Sequence, residues 1–224
     1  MTRHSDPGPT APAPYDPPVG PVRVLRRDAA LLVVEKPAGL LSVPGKGADL
    51  ADCLLSRLLA EDPAVRLVHR LDRDTSGLMV FARSPKAQRH LGLQFERRHV
   101  RKGYAARVAG TVRGDHGLID VPLAADWPRR PRQRVDWVGG RRALTHWQVL
   151  ERGPEWTEMT LVPETGRSHQ LRLHMRLLGH PILGDPLYGD AARAARLMLH
   201  ANALALRHPE DGRVVRFASP APWC

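Results

Sequence analysis

The densest run of residues able to do chemistry is Leu67-Val68-His69-Arg70-Leu71-Asp72-Arg73-Asp74-Thr75-Ser76-Gly77-Leu78. An apolar, strand-like stretch runs there into a turn that presents Asp72, with Arg70 two positions before it and Arg73 one after. Cations that close lower a carboxyl pKa and keep the group ionised. An ionised carboxylate can act as a nucleophile. The spacing suits equally a plain Arg–Asp turn, held by an ion pair, in which Thr75 and Ser76 satisfy local backbone. A second polar segment, Glu164-Thr165-Gly166-Arg167-Ser168-His169-Gln170-Leu171-Arg172, sets Arg167 at a helix start after a turn-permitting Gly166. There its guanidinium either caps a loop or reaches across to an acid. The third, Arg101-Lys102-Gly103-Tyr104-Ala105-Ala106-Arg107-Val108, is a basic lead into a strand that carries one of three tyrosines. Tyr104 is either a ring on which a base stacks or an aromatic core residue.

Other chemistries lack their residues. Gly39 and Gly45-Lys46-Gly47 miss the phosphate-loop spacing by one, and Gly47 stands where Ser or Thr would hold magnesium. There is no GxGxxG after a strand, and no GxSxG elbow to make Ser76 a hydrolase nucleophile. His169, His174 and His180 have neither an HExxH pattern nor cysteine partners, which favours capping and polar packing. The two cysteines, Cys53 and Cys224, can build neither a disulfide framework nor a metal knuckle.

The formal charge is +11, from 34 Lys and Arg against 23 Asp and Glu, so the natural partner is a polyanion, either nucleic acid or an acidic membrane surface. Only Lys36, Lys46, Lys86 and Lys102 are lysines; the remaining cations are arginine, whose fork suits phosphate. Arg129, Arg130, Arg132, Arg134, Arg141 and Arg142 form the tightest cluster, interleaved with Trp127 and Trp137 and relieved only by Asp136. That is a track for RNA phosphates or a solvated basic hairpin.

These residues must be carried by a chain of 224 residues, 42% hydrophobic and 25% charged, enough for one domain with a sizeable core. Residues 1–21 hold seven prolines and almost no bulky apolar side chain, which predicts a disordered tail. That tail has no apolar h-region, and no apolar run approaches a membrane span, so the expectation is a soluble cytoplasmic protein. Apolar and β-branched runs predict strands over 30–35, 77–82, 104–108, 143–150, 156–162, 197–206 and 214–217. Helical spacing predicts helices over 49–60, from Ser84 (N-cap) and Pro85 (N1) to about Arg98, and over 168–178. Mixed elements without βαβ alternation predict an α+β domain on a mostly antiparallel sheet.

Taken together, HRLDRDTSGLMVFARS, preceded by LLVVEKPAGLLSVP and followed by KGYAARVAG, ETGRSHQLRLHMRLLGHPILGDPLYG and LMLHANALALRHP, resembles the RluA-type pseudouridine synthases. The resemblance runs from Val22 to Trp223, and GLIDVPLAADWPRRPRQRVDW is most similar to the branch acting on both 23S rRNA and tRNA. It implies the pseudouridine synthase fold with a central RNA-binding cleft; many such relatives carry an S4-like domain ahead of it, whereas only the Pro-rich segment precedes Val22 here, so the catalytic domain is expected to recognise the substrate. It implies Asp72 as the catalytic aspartate, Tyr104 stacking on the target base and assisting proton removal at C5, and Arg167 pairing with the aspartate. Leu199 would line the pocket, and Arg70 would fill the gap left by the extruded uridine. The implied reaction isomerises uridine within a tRNA anticodon loop or a 23S rRNA hairpin. It adds and removes nothing, so no cofactor or metal is implied. The cluster at Arg129, Arg130, Arg132 and Arg134 would contact phosphates, and the chain would act as a monomer. The competing reading is a catalytically idle RNA-binding or ribosome-assembly module on the same scaffold.

Overall fold

A computed structural model describes residues 15–223. Its strands are β1 (Arg23–Arg27), β2 (Leu31–Lys36), β3 (Arg66–Leu67), β4 (Ser76–Ala82), β5 (Arg101–Ala109), β6 (His116–Ala125), β7 (Gln133–Val135), β8 (Arg141–Arg152), β9 (Trp156–Pro163), β10 (Leu199–Arg207) and β11 (Val214–Ala218). Its α-helices are α1 (Leu54–Glu61), α2 (Pro85–Glu96) and α3 (Gln170–Leu177). The strands form one sheet in the order β1-β2-β4-β10-β5-β9-β8-β6-β7, with β11 added to β10 and β3 to β4. Every pairing is antiparallel except β4 with β10, which run parallel through His200↔Ser76 and Ala201↔Gly77.

Unbroken apolar runs make β2 and β4 because both faces of the sheet are covered there. Leu31, Val33, Leu78 and Val80 face α2 through Ala87 and Leu91. The alternate residues Leu32, Val34, Met79 and Phe81 face α1 through Leu54 and Leu58. A third cluster packs Leu171 and Met175 of α3 on Val108, Met159, Leu161 and Leu199. The catalytic-type segments thus hang from the middle of the sheet, between helices.

Helix α2 starts as its sequence dictates, with Ser84 Oγ accepting the Ala87 N–H and Pro85 opening the first turn. It stops two residues before the expected end. There His99 N–H bonds the Gln94 carbonyl and Arg98 N–H the Phe95 carbonyl, a Schellman closure that puts Arg98 in the left-handed region at φ 60°. Glycine is the usual occupant, and a side chain there costs roughly 1 kcal/mol. Helix α1 begins at Leu54, later than expected, because Cys53 is its N-cap: its Sγ accepts the Ser56 N–H and its own N–H bonds Ser56 Oγ.

The expected tail divides. Residues 1–14 lie outside the described ones, as does Cys224. Residues from Tyr15 onward dock instead: Tyr15 Oη donates to the Asp52 carbonyl and accepts the Leu41 N–H, and Arg57 holds the Pro18 carbonyl. Strand β10 begins at Leu199, two residues late. Three strands, β1, β6 and β7, had no counterpart in the expected set, and the strand-like stretch expected before Asp72 is only the two-residue β3.

Gly77 carries the parallel junction. It sits at φ +112°, and a Cβ there would strike the Ala201 backbone directly. Gly77→Ala is expected to cost about 2–4 kcal/mol in urea denaturation, as an overpacked and strained core position does. A loss below 0.5 kcal/mol would mean that β4 and β10 separate easily.

Candidate active site

Asp72 lies in the loop 68–75 between β3 and β4, and the backbone on each side of it is pinned. Ser42 Oγ donates to the Leu71 carbonyl (2.7 Å) and accepts the Leu71 N–H (3.1 Å). Lys36, fully buried, donates from Nζ to the carbonyls of Arg73 (2.8 Å), Leu40 (2.7 Å) and Pro37 (2.9 Å). His69 stacks on Phe95 and accepts the Val80 N–H at Nε2. Burial, helped by the Lys102 charge, takes that imidazole down to about 3, so it is neutral and carries its proton on Nδ1.

The cation that faces Asp72 is Arg172, with Nη1 3.7 Å from Oδ2. This corrects the pairing expected of Arg167. Arg172 is 2% exposed and spends Nε and Nη2 on Asp185 (2.8 and 2.7 Å), which leaves Nη1 aimed at the loop. Burial works against the Asp185 charge. The Arg172 fork and the Leu187 and Tyr188 N–H groups outweigh it and hold that carboxyl below its ordinary range.

Arg167 is turned elsewhere by its neighbour Gln170. The Gln170 amide accepts the Thr165 hydroxyl and the Arg167 N–H, and donates to the Leu144 carbonyl and Thr145. That lock sets Arg167 Nε on the Arg142 carbonyl, 3.1 Å away. Arg167 still borders the site.

Asp72, Arg172, Arg167, Arg70, Tyr104 and Leu199 all line one cavity of about 550 Å³. Tyr104 reaches it from β5, half-buried, and Leu199 from β10, buried. Burial, reinforced by the Asp72 charge, pushes the Tyr104 phenol well above its usual range, so it stays protonated at any physiological pH. Its ring is therefore a neutral wall whose O–H can donate, and it is not a standing base.

The basic cluster is a separate arm. Arg129, Arg130, Arg132 and Arg134 do not line the cavity. Several of its charges are answered: Arg129 by Asp126, Arg134 by Asp136 and Arg142 by Asp120. Arg130 lies 3.8 Å over the Trp127 ring, and Trp127 and Trp137 are exposed. Asp136 does not relieve the cluster alone: the β6–β8 register brings Asp120 to Arg142, and Asp126 meets Arg129 three residues on. The histidines point apart: His169 to Tyr188, His174 to Thr145, His180 to the Ala109 carbonyl.

Residues 30–177 match the family model described as RNA pseudouridylate synthase. The chain belongs to the RNA pseudouridylate synthase family. It is 46% identical to the dual-specificity RNA pseudouridine synthase RluA of Yersinia pestis, over 89% of this chain and 99% of that one. It is 45% identical to the protein of that name from Escherichia coli K12, over 93% and 98%. Its fold matches human RNA pseudouridylate synthase domain containing 1 at a TM-score of 0.75, with 30% identity, covering 91% of this chain and 85% of the other. The chain is thus an isomerase of RNA with the α+β pseudouridine synthase fold. Among the described residues, no helix is long and apolar enough to cross a membrane.

In this synthase Lys36 ties the Asp72 loop to pH. Burial pulls its ammonium down to about 7, against the support of Asp74 and Asp72. Unfolded, the amine titrates near ~10.4. Between those values the unfolded chain holds a proton that the native chain has released, so stability rises with pH across the window, by at most about 1.4 kcal/mol per unit. The stability advantage of wild type over Lys36→Met, from urea denaturation at several pH values, is expected to be smallest at and below neutrality and to grow toward pH 9. An advantage that shrinks over that interval would refute the assignment.

Proposed function

We propose that this synthase converts one uridine in a tRNA anticodon loop and one in a 23S rRNA hairpin, as a cytoplasmic monomer, with Asp72 as its catalytic residue. One observation carries the reading. A single carboxylate projects from a pinned loop into a cavity within the size range of small-molecule sites, opposite a fixed guanidinium and beside an aromatic wall. The choice of RNAs is supported by the near-half identity, over nearly whole lengths, to relatives named as dual-specific.

In the reaction the N1–C1′ bond breaks, the uracil turns and C5 bonds to C1′; C5 then loses its proton to water and N1 gains one. Asp72 serves either by attacking C1′ or by taking a sugar proton on a glycal route. Both need a carboxylate that can leave its ion pair, and 3.7 Å is a loose contact. Arg172 remains fixed by Asp185 while the charge on Asp72 changes, so it supplies a preorganised field. Tyr104 offers its ring to the base and a neutral O–H near the reacting carbons. Leu199 closes the apolar side. Arg70, exposed two residues before Asp72, is set to occupy the helix gap when the uridine is extruded, a step costing a few kcal/mol. Arg129, Arg130, Arg132 and Arg134 serve the flanking stem, where sequence-independent phosphate contacts position the RNA.

Transcripts of both stem-loops, tritiated at uridine C5, test the reading. Wild type is expected to release label to water, and Asp72→Asn none while still binding RNA. Arg172→Lys keeps the charge but loses the fork to Asp185, and is expected to slow release about 10²–10³-fold. No release by wild type with tight binding retained would favour the idle binding module. Equal release by Asp72→Asn would remove Asp72 from catalysis.

A further inference from the structure

Most arginines of this protein that approach an acid are paired with it, among them Arg57 with Asp52, Arg83 with Asp62 and Arg107 with Glu158. Besides Arg70, three cations that line the active cavity are different. Among the described residues, Arg98, Lys102 and Arg167 have no carboxylate within ion-pair distance, although the cavity also borders Glu96 and Glu164. Glu164 is turned to His146 instead. The three are gathered in one place. Lys102 Nζ lies 3.4 Å from the Thr165 carbonyl, at the loop that carries Arg167. Lys102 and Arg167 are both depressed by burial, and Arg98 pushes each down further, with Arg141 adding to the push on Arg167.

The backbone at Arg98 points the same way. It occupies the left-handed closing position of α2, where glycine would be free of strain, and its side chain makes no hydrogen bond among the described residues. The helix closure accounts for the backbone, but not for an arginine side chain at a position that favours glycine, and such an outlier points to a ligand. Repelling cations without a counter-ion call for an anion.

We propose that Arg98, Lys102 and Arg167 form a clamp for the RNA phosphodiesters on either side of the target uridine, distinct from the groups that meet its base and sugar. The inference rests on the synthase reading above. A ribose seated at Asp72 carries one phosphodiester toward each neighbouring nucleotide, and both must leave through the rim where these cations stand. The clamp gives Arg167 its role: it binds substrate and does not pair with Asp72. It contacts backbone only, so it serves two RNAs of different sequence equally well.

The test uses full-length Asp72→Asn protein as background and a stem-loop with uncharged methylphosphonates at the two linkages flanking the target uridine. The all-phosphate RNA is expected to bind about tenfold or more tighter than the modified RNA. In Arg98→Gln/Lys102→Met/Arg167→Gln protein that preference should collapse to within about twofold. Each single neutralisation should lower the slope of log affinity against log salt by about 0.7–0.9. Arg213→Ala, the same charge loss on the remote turn between β10 and β11, should leave the slope unchanged. Arg98→Gly separates binding from folding: it removes the strain, so the melting temperature should hold or rise while RNA affinity falls. If the modified and all-phosphate RNAs bind wild type alike, or the losses from protein and RNA changes simply add, the clamp is overturned. Tritium release by wild type from the same sequence keeps the two ideas apart. Release without coupling defeats the clamp alone, and coupling without release defeats the substrate assignment alone. An RNA that does not bind wild type at all defeats both.

Discussion

The active site depends on a buried ion pair. Arg172 and Asp185 are at most 2% exposed and meet through two short parallel hydrogen bonds. Burying two charges is costly, and such a pair contributes little net stability over apolar residues of similar size. What it provides is direction. A guanidinium has five donors in a rigid plane, so fixing Nε and Nη2 on Asp185 also fixes where Nη1 points. That third nitrogen faces Asp72. Asp185 is itself held by the Leu187 and Tyr188 N–H groups, so the orientation is traceable back to the chain after α3.

The carboxylate is positioned with equal economy. Strand β2 ends in Lys36 and leads to Ser42, and these two side chains hold the backbone of Arg73 and Leu71, on either side of Asp72. The loop needs little secondary structure of its own because β2 and β4 beneath it are packed on both faces. A rigid floor with a pinned loop above it fixes the backbone on either side of Asp72 and leaves its side chain to the loose 3.7 Å contact with Arg172.

How much of this was readable in the chain varied with the physical signal. The runs at 31–36 and 76–82 are apolar without interruption, and the Ser84-Pro85 start has one interpretation, so those elements were legible. Strand β6 was not: its exposure alternates and it includes Gly117 and Pro122, the pattern of a half-solvated strand that register, not composition, holds in place. Helix α1 begins later than its periodicity suggests because Cys53 reads as an apolar face residue, while its use as a cap depends on Ser56. At the site, Asp72, Tyr104, Leu199 and Arg70 were legible through their motifs and line the cavity. Arg172 carries no such signal in the sequence, because a helical arginine is ordinarily solvated. Its burial becomes visible only with Asp185, thirteen residues later, as the partner that a buried charge requires.

The same contrast between answered and unanswered charge orders the basic surface. On the arm, Asp120, Asp126 and Asp136 neutralise three of the six arginines, and Trp127 stacks on Arg130. Such a surface has its cations already oriented, and an approaching phosphate must compete with carboxylates for them. At the cavity, Arg98, Lys102 and Arg167 have no carboxylate within ion-pair distance among the described residues. Cations without a carboxylate partner gather at the cavity, whereas three of the six arginines on the arm are paired. Focusing of that kind favours RNA whose backbone bends into the cavity over duplex lying flat on the surface. A stem-loop meets the requirement because its loop phosphates can reach the rim while its stem rests on the arm. The net charge of +11 is therefore less informative than its distribution.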